Sequence, residues 1–281
     1  MKIAIIGSGT MGCGIAQVIL NSDQLKQLVV ITRNEEKSLL VQKACEKHLA
    51  RLVRKRELNE ELAAKTLEKL LLSNSYDSLA DSDIVIEAVA ENYSIKKELF
   101  ETIKPFINNN TVIASNTSSL SITSFSSVFS HPENVVGLHF FNPAPVMELV
   151  EIVVGHVTSE SIVKKLIEFT ESLGKVPVVV NEAPGFVVNR MLIPMINEAV
   201  SILAEGVASA DDIDKAMKLG AHHPMGPLAL ADLIGNDVNL SIMETLYSET
   251  GDPKYRAHPL LRKMVRANHL GRKTKKGFFQ Y

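Results

Sequence analysis

Tryptophan is absent from this 281-residue chain, phenylalanine and tyrosine alone make up its 5% of aromatic residues, and there are two cysteines. Cys13 and Cys45 show no paired spacing and no accompanying histidine cluster, which argues against a disulfide framework or a zinc site. They read as two small buried residues, and no metal is expected. An excess of either charge is also missing. With 30 basic and 32 acidic residues the formal net charge is −2, so no polyanion-binding surface dominates and no nucleic-acid partner is expected. No apolar run reaches the roughly 18 residues of a membrane span, and the N-terminus enters a strand-like run without a basic segment and a signal-peptide core. The expectation is a cytoplasmic protein without a membrane partner. Apolar residues at 46% and charged residues at 22% suit an ordinary globular protein, long enough for two domains.

The first pattern that carries chemistry lies at the N-terminus, where Lys2-Ile3-Ala4-Ile5-Ile6 runs into Gly7-Ser8-Gly9-Thr10-Met11-Gly12 and then into a helix over Met11 to Leu20. Gly7 permits a sharp exit from the strand, Gly9 lets the backbone approach a pyrophosphate, and Gly12 allows close helix packing. The free N–H groups and positive end of the helix, at Thr10 and Met11, would face phosphate. Three spaced glycines also make ordinary turns; the strand before and the helix after favour a dinucleotide site.

Leu28 to Ile31 reads as the second strand. At its tip, dinucleotide sites commonly place an Asp or Glu that accepts hydrogen bonds from the adenosine ribose, whereas this chain has Thr32-Arg33-Asn34. Arg33 cannot accept a hydrogen bond but can pair with a 2′-phosphate. Residues 35–71 read as an inserted helical hairpin, with a polar break at Asn59 to Glu61 and a basic face along the first arm. Strands at Asp83 to Val89 and Thr111 to Ser115, separated by a helix over Ser94 to Lys104, restore a βα alternation and predict a doubly wound, mostly parallel sheet. Val135 to Phe141 and Leu149 to Val154 are joined by a short Pro-containing segment, which implies an antiparallel turn, and Val176 to Val180 adds a further strand. From Ala183 onward the pattern is almost wholly helical. The expected domains are a dinucleotide-binding unit over 1–183 and an all-α unit over 184–281, whose apolar helical faces suggest a homodimer.

His139 and Glu151 lie on the two strands of that antiparallel turn, and their midpoint is Pro145 within it. That register makes them cross-strand neighbours. A carboxylate beside an imidazole fixes its tautomer and raises its basicity, as general-base removal of a hydroxyl proton requires. Asn116-Thr117-Ser118-Ser119 follows a sheet strand, at the end where open α/β sheets bind ligands, although such a cluster also serves as a turn or cap. Asn189 reads either as a surface residue or as a polar group reaching into a cleft.

Ser115-Asn116-Thr117-Ser118-Ser119-Leu120, Gly137-Leu138-His139-Phe140-Phe141-Asn142-Pro143, Pro184-Gly185-Phe186-Val187-Val188-Asn189-Arg190, Ala216-Met217-Lys218-Leu219-Gly220 and Pro224-Met225-Gly226-Pro227, together with the glycine turn, resemble the 3-hydroxyacyl-CoA dehydrogenase family across essentially the whole chain. The resemblance implies a Rossmann-type domain plus a helical C-terminal domain, an acyl-CoA substrate and hydride transfer with NAD(P)(H). It makes His139 the catalytic base and Glu151 its partner, with Ser118 and Asn189 on the reacting oxygen. It further implies cofactor contacts at Glu91, Lys96, Ser118, Asn142 and Lys273. On the hairpin it implies CoA contacts at Lys55 and at His48, where some relatives carry Ser; Arg51 and Arg54 add charge beside Lys55. Arg33 departs from the family's usual Asp, which selects NAD, and raises the expectation of NADP. Two other readings are open: a non-enzymatic nucleotide-binding or crystallin-like structural protein on the same scaffold, and a dehydrogenase of free hydroxyacids, which would rely on a catalytic lysine that the His/Glu hairpin fits poorly.

Overall fold

The glycine turn follows β1 (Lys2–Ile6) and opens α1 (Thr10–Leu20), which packs its apolar face on the sheet through Ile15, Ala16 and Ile19, all 0% exposed. β2 (Gln27–Ile31) pairs parallel to β1. Asn34 then caps α2 (Glu35–Arg54), accepting from the Lys37 N–H at 3.0 Å. Glu35 and Glu36 in its first turn and Arg51 and Arg54 in its last both complement the helix dipole. The hairpin returns through α3 (Glu60–Glu68), whose cap is Asn59. The break between the arms therefore lies at 55–59, and Glu60 and Glu61, expected within it, already belong to the second helix. The helical pattern also ends earlier than residue 71, since Leu70–Ser73 forms β3, parallel to β2.

β4 (Ile84–Glu87), α4 (Tyr93–Ile103) and β5 (Val112–Ser115) follow, then the short α5 (Ile122–Ser126), β6 (Val135–Phe140), β7 (Leu149–Val154), α6 (Glu160–Ser172) and β8 (Val176–Asn181). The order across the sheet is β3-β2-β1-β4-β5-β6-β7-β8. Pairing is parallel throughout except between β6 and β7. The chain winds from β1 outward through β2 and β3, then crosses back to β4, so the carboxyl ends of β1 and β4 flank a topological switch point, where sheets of this kind bind ligands. Nearly continuous apolar strands, such as the fully buried Val135–Phe140, are those of a sheet covered on both faces.

The computed structural model describes residues 1–281 and divides into two units, Met1–Glu182 and Ala183–Tyr281. The second is helical: α7 (Val188–Ala204), α8 (Ala210–Gly220), α9 (Pro227–Ile234), α10 (Asn236–Thr250) and α11 (Pro259–Arg266). Its C-terminal tail is pinned by the buried carboxylate of Asp232, which accepts from the N–H groups of Phe278 at 3.0 Å and Phe279 at 2.9 Å and from the Tyr281 hydroxyl at 3.2 Å. No helix is long and apolar enough to cross a membrane.

Candidate active site

The glycines of the first turn have distinct steric reasons. Gly7 sits at φ +128°, and a Cβ there would lie 2.4 Å from the carbonyl oxygen of Ala88, at the end of β4. A Cβ on Gly12 would lie 2.0 Å from the carbonyl oxygen of Gly7, so it is the turn itself that Gly12 lets the helix approach. Gly9 faces open space, and no side chain caps the first turn of α1. Uncapped helix-end N–H groups beside an open backbone are what a diphosphate requires. A cavity of about 750 Å³ lies over this turn, lined by Gly7, Ser8, Gly9, Thr10 and Met11, by Thr32, Arg33 and Lys37 beyond β2, and by Tyr76, Ala88, Ile95 and Leu99. These residues fit the adenosine and diphosphate parts of a dinucleotide. Glu98 is the only acid in the lining, and both basic residues stand beyond β2. Lys37, one turn after Arg33, escapes notice in the sequence because it reads as part of a charged helix face.

Ile6, Glu87, Ser115 and Gly137 are paired in one row across β1, β4, β5 and β6. His139 lies two residues beyond that row on β6, as Thr117 does after β5. Three interstrand steps of about 4.8 Å put it roughly 14 Å from the glycine turn along the same sheet edge. Neither His139 nor Ser118 lines the cavity, so the two lie further along this edge than its adenosine end.

His139 pairs directly with Glu151 across the antiparallel ladder, as the midpoint argument requires. Its Nδ1 lies 2.8 Å from Glu151 Oε2, with the side chains 8% and 1% exposed. An ionised carboxylate only accepts, so Nδ1 carries the hydrogen and Nε2 the basic lone pair. Phe141 packs against the imidazole at 4.4 Å between ring centroids, and the Asn116 carboxamide accepts from the Phe140 N–H at 2.9 Å, tying the histidine strand to the loop after β5.

That loop is organised by Glu91. Its Oε1 accepts from Thr117 Oγ1 at 2.6 Å, from the Ser118 N–H at 2.8 Å and from Ser118 Oγ at 3.0 Å, while Oε2 lies 3.3 Å from the Lys96 ammonium. Burial works against ionisation of Glu91, but Lys96 and the hydrogen bonds from Thr117 and Ser118 outweigh it and hold the carboxyl below its usual range. Lys96 is 1% exposed, and its nearer partner is Glu87 at 2.6 Å, a residue that in sequence reads only as part of a strand. A charge inside an otherwise apolar β4, with a second acid four residues later and a lysine five beyond that, is the signal that could have found it.

The remaining expected residues fall elsewhere. Asn142 is exposed in the turn between β6 and β7, next to the cis bond to Pro143. His48 and Arg51 of α2 and Lys55, the residue that caps its C-terminus, follow one another along one side of the helix. Lys55 lies 3.4 Å from Glu57. His48 Nε2 lies 2.8 Å from the Asn21 amide at the end of α1, and burial, reinforced by Arg51, pushes the His48 pKa down. In the second unit, Asn189 is half-buried in the first turn of α7, just after Gly185 at φ +71°, where a Cβ would come within 2.9 Å of Leu246. Lys273 pairs with Asp237 of α10.

A switch-point sheet with a glycine cradle at one strand end and a buried imidazole–carboxylate pair further along the same edge defines a nicotinamide-dependent oxidoreductase of the doubly wound class. Family models agree with this in both units: residues 2–183 match the 3-hydroxyacyl-CoA dehydrogenase NAD-binding domain, and residues 185–281 match the C-terminal domain. The chain is 51% identical over 281 residues to 3-hydroxybutyryl-CoA dehydrogenase of Clostridioides difficile, covering 100% of this chain and 99% of that one. It is 38% identical to the human mitochondrial hydroxyacyl-coenzyme A dehydrogenase, covering 99% and 90%. The crystal structure of (S)-3-hydroxybutyryl-CoA dehydrogenase from Ralstonia eutropha superposes with a TM-score of 0.94 at 45% identity, covering 100% and 98%. The chain belongs to the 3-hydroxyacyl-CoA dehydrogenase family.

Proposed function

We propose that this protein interconverts 3-hydroxybutyryl-CoA and acetoacetyl-CoA, with His139 as the acid–base group. The buried 2.8 Å contact between His139 Nδ1 and Glu151 Oε2 carries the reading, and the names of the relatives from Clostridioides difficile and Ralstonia eutropha supply the substrate. A bound nicotinamide dinucleotide supplies the hydride acceptor in one direction and the donor in the other. In oxidation, His139 Nε2 takes the proton of the 3-hydroxyl, Glu151 stabilises the imidazolium, and the C–O bond becomes a ketone as the C3 hydrogen departs with its electron pair. In reduction the imidazolium returns the proton. Ser118 and Asn189 orient the reacting oxygen, and Glu91, Lys96, Asn142 and Lys273 serve the cofactor site.

Arg33 and Lys37, both lining the cavity beyond β2, favour NADP(H) over NAD(H), because the ribose 2′-phosphate gains two cations where an acidic residue would repel it. The basic face of α2, with His48, Arg51 and Lys55, takes the phosphates of CoA. The second unit mediates a homodimer, in which a partner would cover exposed apolar side chains such as Met191, Val207 and Leu219, each at least 70% exposed. Two free cysteines suit the reducing cytoplasm. Consumption of NADPH and of NADH with acetoacetyl-CoA and with a long-chain 3-ketoacyl-CoA tests the assignment. Turnover of the four-carbon substrate, faster with NADPH, is expected; binding of dinucleotide without turnover of any acyl-CoA would return the non-enzymatic reading.

A further inference from the structure

We propose that Glu87 is a positioning residue for hydride transfer: through Lys96 it holds Glu91, and through Glu91 it holds Ser118. β4 is apolar until its last residue, and there the chain places a carboxylate at 0% exposure. Glu87 Oε1 accepts from Lys96 Nζ at 2.6 Å and from the Val89 N–H at 2.7 Å, and Oε2 accepts from Ser115 Oγ at 2.6 Å. The Ser115 hydroxyl in turn accepts from the Thr117 N–H at 3.3 Å. One carboxylate thus joins the ends of β4 and β5 to α4.

Burying a carboxylate and an ammonium together is, on balance, weak as a source of stability, because the desolvation cost offsets most of the attraction, and apolar side chains of similar size do as well. What the pair supplies is geometry. Lys96 bridges two carboxylates on different segments, Glu87 at 2.6 Å and Glu91 at 3.3 Å, so the position of Glu91 is referred to the sheet rather than to its own loop. Glu91 then fixes Ser118 twice, at the backbone N–H and at the hydroxyl. These two contacts set where the Ser118 oxygen stands at the end of β5. An error of about 1 Å at such a group costs on the order of 100-fold in rate. A buried network that is fully satisfied is the means by which a loop is held to better than that.

This inference rests on Ser118 touching the reacting oxygen, and the test separates the two. Glu87→Gln, Ser118→Ala and the double variant are compared by kcat and KM with acetoacetyl-CoA, by cofactor binding from fluorescence, and by thermal melting. Glu87→Gln should lower kcat at saturating cofactor about 10- to 100-fold, with a smaller loss of cofactor affinity, and should lower kcat less than about threefold further once Ser118 is already Ala. Equal losses from Glu87→Gln in both backgrounds overturn the proposal. Should Glu87→Gln fail to fold, Glu87→Gln combined with Lys96→Met removes both charges together; a folded double variant with wild-type kcat overturns it as well. Wild-type kcat in Ser118→Ala alone removes the underlying site assignment instead.

Discussion

Cofactor choice offers the sharpest use of the structure, because it turns on Arg33, which stands exposed at the tip of β2 on the rim of the cavity. A guanidinium and a phosphate about 4 Å apart attract by about 1 kcal/mol per charge pair in bulk water and by about 4 kcal/mol at an effective dielectric of 20. Exposure pulls the Arg33 value toward the lower limit, while bidentate, charge-assisted hydrogen bonding to phosphate raises it. A net preference of about 1.5–2.5 kcal/mol for the phosphorylated cofactor follows, which is about 10- to 70-fold in the ratio of kcat/KM for NADPH over NADH. Arg33→Asp removes the attraction, adds a repulsion and restores an acceptor for the ribose hydroxyls, so the ratio should fall by at least that factor and invert. Lys37→Ala, which removes a flexible point charge, should lower the ratio by about threefold. Steady-state kinetics with both reduced cofactors at fixed ionic strength reads the ratio directly. A wild-type preference for NADH that Arg33→Asp leaves unchanged refutes the argument.

Glu91 gives a pH dependence of defined sign. Its folded-state pKa lies below the ordinary carboxylate value of about 4.3, so its stabilising contribution is complete above that value and is lost as pH falls through it toward the folded-state pKa. Urea midpoints measured from neutral pH down through that window should fall more steeply for wild type than for Glu91→Gln, and parallel curves would count against the network. Asp232→Ala should destabilise the helical unit by about 2–4 kcal/mol, since it leaves the N–H groups of Phe278 and Phe279 and the Tyr281 hydroxyl without their acceptor. Chemical denaturation of the variant, with hydrogen exchange at residues 277–281, checks both the magnitude and the location.

What could be read from sequence depended on whether a feature was local. The glycine turn, the strands around it and the His139–Glu151 register were legible because each follows from short-range rules: a turn between a strand and a helix, and a hairpin whose midpoint pairs its flanks. β3 was not, because Leu70-Leu71-Leu72 consists of good helix formers at the end of a helical arm and becomes a strand only by pairing with β2, more than 40 residues earlier. The roles of Glu87 and Ser115 were hidden for the same reason, since their partners come from α4 and from the neighbouring strand. Lys37 was masked by α2, whose other charges lie in solvent. The family resemblance named Glu91 and Lys96; the structure supplies the physical link between them.

The central claim is that a buried imidazole, oriented by Glu151, moves the substrate proton. His139→Gln tests it most directly, because glutamine retains size and hydrogen bonding but cannot cycle a proton near neutral pH. The account predicts a loss of about 10²–10⁴ in kcat with acetoacetyl-CoA while dinucleotide affinity stays within about threefold of wild type. A folded His139→Gln enzyme with kcat within about tenfold of wild type would contradict it.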